Sequence, residues 1–356
     1  MSMRVVQVLG SSAGGVARHV AQVVAELSAA GDRVLVAGPS SVRATVLPEG
    51  GAFQSVEIAD RPHASDLTAI RRLAAVGREA DVVHAHGLRA GALAVLALRT
   101  RRHRPRIVVT LHNLPVGGRA IRTVSAVLGR VVAHGADVVL GVSGDLVALS
   151  AAQGARRAER ALVPAPARRT ASSSAEQTRA ELGLSSEQRV AVTVARLAPQ
   201  KGLDTLVSAA ARVELPGFVW LLAGDGPLES SVRAQVEASG APVRVLGRRA
   251  DVLELFAAAD VVVSTAVWEG QPLAVQEALG QGAAVVATDA GGTREVTGDA
   301  AVLVPVGDDL GLATAVRRVL TDSDERDRLR AAAAARATEL PAPADVRAQL
   351  RAIYQG

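Results

Sequence analysis

Short Val-rich runs that alternate with helical stretches, twice over, constrain this chain more than any other feature. In the first half the apolar runs fall at 5–9, 34–37, 82–84, 107–110 and 138–141, with helical spacing near 15–30, 66–78, 88–100, 119–134 and 143–152. Runs this apolar and this short suit strands buried on both faces, each followed by a crossover helix. A stretch rich in Pro, Ser and Arg, from Val163 to Ser174, then reads as an interdomain linker. The alternation resumes at 190–195, 219–223, 243–246, 261–264, 285–288 and 302–304. The expected fold class is therefore α/β, with two doubly wound parallel-sheet domains over 1–168 and 169–340. Ligands of such domains bind outside the carboxyl ends of the strands, so a cleft between the two sheet edges is the expected site.

A length of 356 residues suits two domains better than one. Aromatics make up only 2% of the chain and hydrophobic residues 49%, so the cores must be built from Val, Leu and Ala. With no cysteine, neither a disulfide nor a thiolate-held zinc is possible. The N-terminus runs straight into a strand-like segment and does not read as a signal peptide. No apolar stretch reaches the roughly 20 residues of a membrane span. A cytoplasmic protein is expected, with a peripheral position at the inner face of a membrane as an extension of that expectation.

Charge is unevenly placed. Residues 1–168 carry 21 Arg and 11 acids, a net of +10, whereas 169–356 carry a net of −5. A basic first half suggests an anionic partner, such as an acidic acceptor or an anionic membrane surface. Nucleic acid is not expected, because no binding motif is present and aromatics for base stacking are nearly absent. Of the 40 basic residues one is lysine, Lys201. Heavy use of Arg beside Ala and Gly suggests a GC-rich coding sequence, which explains the arginines but not why position 201 stayed Lys.

Chemistry concentrates in a few stretches. In Glu269-Gly270-Gln271-Pro272-Leu273-Ala274-Val275-Gln276-Glu277, two carboxylates stand eight positions apart, and the Pro suits the start of a helix. Glu269 should end a loop and Glu277 should lie one turn, about 6 Å, inside the helix. The free amides of Leu273 and Ala274 fall between them, at a helix N-terminus that suits phosphate. A ligand with hydroxyls at both ends and a diphosphate in the middle would fit, and a nucleotide-sugar has that form. Arg196 and Lys201, in a loop between a strand and a helix, offer a planar fork and a point charge, a combination suited to a diphosphate. The loop Gly10-Ser11-Ser12-Ala13-Gly14-Gly15 lacks the Gly-Lys-Ser/Thr of a P-loop and the Gly-x-Gly-x-x-Gly of a dinucleotide site. Gly14 and Gly15 still permit close backbone approach to a phosphate or sugar. In Asp81-Val82-Val83-His84-Ala85-His86-Gly87, two histidines suggest a metal, but no third ligand lies nearby in the sequence, so no metal site is expected. His112 falls just past a strand end. The run Arg99–Arg106 reads as a solvated loop or an anion contact. Ser143 reads as a helix N-cap.

Together these stretches resemble the retaining GT-B glycosyltransferases of family 4. The Glu269…Glu277 pair resembles the Glu-x7-Glu signature, Gly14-Gly15 the donor-facing loop, and Asp81–His86 the family's Asp-Val-Val-His-x-His. Arg196-Leu197…Lys201-Gly202 resembles the Gly-Arg-Leu…Lys-Gly element, with Ala195 in place of Gly. Gly224-Asp225-Gly226-Pro227 resembles the Gly-x-Gly-Pro turn, Gly247-Arg248 the loop that reads the base, and Gly291–Glu295 the Gly-Gly-x-x-Glu turn, itself readable as simple packing. The family often has Glu-Gly-Phe-Gly where this chain has Glu269-Gly270-Gln271-Pro272.

The resemblance implies two Rossmann-like domains, the first for the acceptor and the second for a nucleoside-diphosphate sugar. A last helix, within 341–356, would pack back on the first domain. Glu277 would bind ribose, and Glu269 and His112 the sugar. Arg196 and Lys201 would neutralise the diphosphate, with Gly247, Arg248, Gly270, Leu273 and Ala274 lining the donor site. No cofactor and no metal would be needed. The acceptor would be a small molecule, a glycan or a lipid-linked group. Two other classes stay open: an epimerase or phosphorylase on the same fold, and a sugar-nucleotide-binding protein without catalysis.

Overall fold

Each apolar run forms a strand in a computed structural model, which describes residues 2–11, 14–47, 50–59, 61–114, 118–164 and 170–356. The first half contains β1 (Arg4–Leu9), β2 (Arg33–Gly38), β3 (Ala52–Ser55), β4 (Val82–His86), β5 (Arg106–Leu111), β6 (Val138–Gly141) and β7 (Ala158–Arg160). The second contains β8 (Arg189–Val194), β9 (Phe218–Ala223), β10 (Val243–Gly247), β11 (Val261–Ser264), β12 (Val285–Thr288) and β13 (Ala301–Val304). Two strands, β3 and β7, have no counterpart among the apolar runs. Both are short and lie at sheet edges, so neither needs a fully apolar sequence.

The chain divides into two compact units, Met1–Pro164 with Pro341–Gly356, and Ala165–Leu340. The boundary expected at 168/169 falls in 165–169, outside the described residues, as does the middle of the expected linker. The distal end of that stretch is structured rather than loose. Ser172 donates from its amide and its hydroxyl to the Glu254 carboxylate at 3.1 and 2.7 Å. The Ser174 hydroxyl accepts from Gln177 N at 3.1 Å and caps the helix Ala175–Glu181.

In the first unit the strand order is β3-β2-β1-β4-β5-β6-β7, and all pairs are parallel. Order reverses between β1 and β4. Gly91 brings the helix Leu88–Leu98 down on β5, where a Cβ would lie 2.5 Å from Val109. The closing helix Pro343–Gln355 belongs to this unit. Arg347 bonds Glu26 at 2.8 Å, Arg351 bonds the buried Asp32 at 3.1 Å, and the Gln349 amide donates to Arg160 O at 2.7 Å while accepting from Leu162 N at 2.9 Å. Ser143 occupies the N-cap position of the helix Gly144–Ala152 but does not cap it. Its hydroxyl donates to Asp145 instead, and that carboxylate accepts from Leu146 N at 2.8 Å.

The second unit has the order β10-β9-β8-β11-β12-β13, again parallel throughout, with its reversal between β8 and β11. Apolar cores cover both faces: Leu206, Trp220, Leu222 and Val316 on one, Leu221, Phe256, Leu279 and Val285 on the other. Burying each such side chain contributes about 1.5–3 kcal/mol. Polar side chains on the central strands are paired, whereas the amide of Gln276, on the helix Leu273–Gly280, is buried without a partner among the described residues. The Trp220 indole donates to the Thr193 hydroxyl at 3.0 Å, which in turn donates to Val263 O at 2.8 Å.

Candidate functional site

Each sheet reverses its strand order once, and the loops leaving the strands on either side of that reversal diverge, which opens a crevice at the carboxyl edge. In the second unit these are the loops after β8 and β11. The first carries Arg196 and Lys201, the second Glu269. Lys201 donates to the Glu269 carboxylate, with both side chains mostly buried. An ammonium has three hydrogens, and among the described residues no other partner of this one is found. Arg196 is exposed and forms no ion pair among the described residues.

Backbone contacts fix this arrangement. Gly202 has φ +60°, and a Cβ there would lie 2.0 Å from Thr265 O, while the Thr265 hydroxyl donates to Lys201 O at 2.8 Å. A Cβ on Gly224 would lie 1.8 Å from Ala195 O, and one on Gly226 2.4 Å from Leu197 O, so the Gly-x-Gly turn grips the backbone on both sides of Arg196. A Cβ on Gly291 would lie 2.2 Å from Glu269 O, which accepts from Gly292 N at 2.8 Å. The Gly291-Gly292 turn is thus a support for Glu269.

The helix Leu273–Gly280 begins at Pro272, and its first internal bond runs from Gln276 N to Pro272 O at 3.0 Å. Leu273 and Ala274 precede that bond, so their amides lie at the helix N-terminus, where an anion is favoured. Glu277 stands one turn further in. Gly270 is buried beside Glu269, Gly247 ends β10 with φ +70°, and Arg248 after it is exposed. The structure thus places Arg196, Lys201, Gly247, Arg248, Glu269, Gly270, Leu273, Ala274 and Glu277 in loops and one helix start at a single sheet edge.

The first unit holds Gly14, Gly15 and His112. Gly14, with φ +77°, precedes the helix Gly15–Ala29, and Ser12 and Ala13 of the same loop lie outside the described residues. Register pairs Gln7 with His84 and His86 with Thr110, so all four share one face of the sheet at its carboxyl end. His86 Nε2 lies 2.7 Å from Gln7 Oε1, and Gln7 Nε2 donates to the Tyr354 hydroxyl at 3.2 Å. That hydroxyl lies 2.7 Å from His84 Nδ1, and His84 Nε2 lies 2.7 Å from the Thr110 hydroxyl. His86 Nδ1 and His112 Nε2 are 3.2 Å apart.

These bonds set the imidazole tautomers. Gln7 Oε1 only accepts, so His86 Nε2 carries a proton and its Nδ1 is bare. The proton between His86 and His112 therefore sits on His112 Nε2. Sequence reasoning missed His19, which the helix Gly15–Ala29 places against this cluster. Its ring centroid lies 5.8 Å from that of His86 and 5.4 Å from that of His112. His84 is not part of this group, because Tyr354 and Thr110 occupy both of its ring nitrogens; the rings that converge are those of His19, His86 and His112. Tyr354 was also missed, although it is the chain's sole tyrosine. The basic run is elsewhere: Arg102, Arg104 and Arg106 line a cavity of about 600 Å³ with Arg78 and Asp137, and Arg104 grips Asp137 at 2.6 and 2.7 Å.

Two family models match the chain, "Glycosyl transferases group 1" over residues 174–336 and "Glycosyl transferase 4-like domain" over 14–166. A lipopolysaccharide core biosynthesis glycosyltransferase, LpsE of Rhizobium meliloti, is 32% identical over 42% of this chain and 45% of its own length. The match thus spans under half of that relative. A phosphatidyl-myo-inositol mannosyltransferase of Mycolicibacterium smegmatis is 28% identical over 96% of this chain and 90% of its own length. Among solved structures, Anabaena HepE in complex with UDP and glucose superposes with a TM-score of 0.82 at 21% identity, over 99% of both chains. WaaG, a glycosyltransferase involved in lipopolysaccharide biosynthesis, gives 0.76 at 18% identity, over 99% of this chain and 100% of that one. These two likenesses concern the fold.

Burial holds all four clustered histidines below their ordinary value. His19 falls to about 4 and His84 to about 3, with neighbouring rings adding to the effect on His84, His86 and His112. Unfolded, these rings titrate near pH 6.5. Below that pH the unfolded chain takes up protons that the folded chain refuses. Stability is thus full above about pH 6.5 and falls towards pH 4, by about 1.4 kcal/mol per ring per pH unit. Urea unfolding at about pH 7.5 and about pH 5 should show a smaller loss in His19→Leu than in the wild type, by about 2 kcal/mol. Equal losses would mean that the folded state does not hold His19 neutral.

Proposed function

Because the chain belongs to the glycosyl transferases group 1 family, we propose that it moves a sugar from a nucleoside-diphosphate sugar to a hydroxyl acceptor, with retention of the anomeric configuration. The observation that carries this reading is the Lys201–Glu269 pair beside Arg196 at the strand reversal of the second unit. The ammonium keeps hydrogens for an anion, Arg196 adds a planar fork, and the amides of Leu273 and Ala274 add a helix N-terminus. These cations would stabilise the charge that develops on the departing diphosphate. Glu269 would accept from hydroxyls of the sugar and Glu277 from those of the ribose. Gly247 and Arg248 would border the base. His112 would position the sugar, and Gly14 and Gly15 would let the backbone approach the donor.

Retention follows from the roles left over. An inverting enzyme needs a base opposite the leaving group. With Glu269 and Glu277 engaged by hydroxyls, a departing diphosphate oxygen takes the acceptor proton on the face it leaves. The acceptor oxygen forms its bond to the anomeric carbon as the bond to the diphosphate breaks. Neither metal nor cofactor is required for this charge balance.

The acceptor is proposed to be anionic or held at an anionic membrane. On the helix Arg119–Gly135, Ile121, Val124 and Val127 are exposed along one side, with Arg119, Arg122 and Arg130 on the other. This amphipathic pattern suits a lipid surface. Among the described residues no helix is long and apolar enough to cross a membrane. Co-sedimentation with anionic liposomes should exceed that with neutral ones and fall as salt rises. Equal binding to both, or none at low salt, would remove the membrane from the proposal.

Lys201→Ala should weaken binding of UDP or GDP, whichever binds the wild type, by about 1.5–3 kcal/mol. Calorimetry showing unchanged affinity would remove Lys201 from the donor site.

The activity itself is tested with a panel of nucleotide-sugars and hydroxyl acceptors. An acceptor-dependent product is expected, with the donor's anomeric coupling preserved in its proton NMR spectrum. An inverted coupling would mean that a catalytic base has been overlooked. Donor isomerised without acceptor would favour an epimerase, sugar phosphate formed from inorganic phosphate a phosphorylase, and donor bound without turnover a binding protein.

A further inference from the structure

The proposed transfer makes no use of His19, whose buried Nδ1 has no hydrogen-bond partner. Buried polar atoms are normally paired, so this nitrogen points to a ligand. We propose that His19, His86 and His112 form a binding site for a divalent transition metal of the zinc class, and that metal uptake takes His112 out of the transfer reaction. The second clause rests on the proposed function; the first does not.

The three rings come from three elements: the helix Gly15–Ala29, the end of β4 and the residue after β5. One ring nitrogen of each lies within 4.8 Å of the others. The centroids form a nearly equilateral triangle, with sides of 5.4, 5.5 and 5.8 Å. Nitrogens on a tetrahedral zinc, each about 2.0–2.1 Å from the ion, stand about 3.3 Å apart. His86 Nδ1 and His112 Nε2, at 3.2 Å, already have that spacing. Closing the other two edges needs side-chain movement of at most about 1.5 Å.

The surroundings fit a ligand set. His86 donates its other ring nitrogen, Nε2, to Gln7 Oε1 at 2.7 Å, the kind of outer contact that orients a metal-bound imidazole. Imidazole nitrogens suit zinc, nickel and copper, and the chain has no thiol to compete for them. Burial already keeps the rings neutral. On uptake the proton of His112 moves from Nε2 to Nδ1, freeing the Nε2 lone pair. Three dative bonds form, no covalent bond is lost apart from that N–H exchange, and the ion keeps its two charges. The fourth position would be taken by water, as in three-histidine zinc sites. With its Nε2 on the metal and its Nδ1 protonated, His112 can no longer accept a sugar hydroxyl.

The test uses the tag-free full chain, dialysed against a chelator and titrated with cobalt(II), then zinc(II). One equivalent of cobalt should bind with the visible bands of four-coordinate cobalt, and zinc should displace it. His19→Ala and His112→Ala should each weaken binding more than about 100-fold, beyond the 10–100-fold cost of losing an outer contact. His134→Ala, which removes an exposed ring elsewhere, should bind like the wild type. Circular dichroism reports folding, and His19→Gln replaces His19→Ala if the latter unfolds. No binding at millimolar metal, or equal affinity in the wild type and both cluster variants, would overturn the site. Saturating zinc should abolish transfer and a chelator restore it. Undiminished transfer by the zinc-loaded protein would overturn the second clause. Binding as expected from a protein that transfers no sugar would overturn the proposed activity and leave the site standing.

Discussion

A parallel sheet covered on both faces offers no water to a polar side chain on its strands, so every such group must find its partner inside the protein. In the first unit this constraint falls on Gln7, His84, His86 and Thr110, none more than 1% exposed. Neighbouring strands satisfy part of the set through the Gln7–His86 and His84–Thr110 bonds. The remainder needs a group from outside the sheet. Tyr354 provides it from the last helix, 347 residues along the chain from Gln7. Leaving a buried donor or acceptor unpaired costs about 1–3 kcal/mol, and here one hydroxyl serves two. The half-exposed Arg347–Glu26 pair at the same helix contributes less, about 0–1 kcal/mol.

The second unit meets a different constraint. The side chains of its candidate site leave from loops whose backbones approach each other within contact distance, so there is no room for side chains between them. Glycine is required where Gly202 meets Thr265, where Gly224 and Gly226 meet Ala195 and Leu197, and where Gly291 meets Glu269. Arg196, Lys201 and Glu269 are therefore positioned by backbone carbonyls rather than by side-chain packing. The resulting site tolerates the exposure that a charged ligand needs, because its geometry does not depend on a dry core.

This difference decides what was legible in the sequence. The Val-rich runs foretold eleven of the thirteen strands among the described residues because a doubly covered strand must be largely apolar. The edge strands β3 and β7, covered on fewer sides, carry no such signature. Arg196, Lys201 and Glu269 were legible because glycine and charge cluster locally in the chain around them. The histidine cluster was legible only in part. Gln7, His84 and His86 interrupt apolar runs, which marks them as buried polar groups in need of partners. Their partners His19 and Tyr354 lie on helices, where a single polar residue carries no such mark. Ser143 misled for a related reason: its position matched a cap, but Asp145, two residues on, competes for the hydroxyl.

The same bonds limit what His112 can do chemically. Burial and the neighbouring rings favour its neutral form, which carries no positive charge for a departing diphosphate. Its Nε2 proton is committed to His86, whose Nδ1 is bare because Gln7 fixes the proton on the other nitrogen. What remains is the Nδ1 lone pair, which can accept a hydrogen bond from a sugar hydroxyl but cannot donate one to a leaving oxygen. A positioning role fits that state, and a general-acid role does not. In the proposed reaction, charge stabilisation would then fall to residues that stay cationic, and the second unit has these in Lys201, pinned by Glu269, and in the exposed Arg196. The role proposed for each group thus follows from where that group can keep its charge.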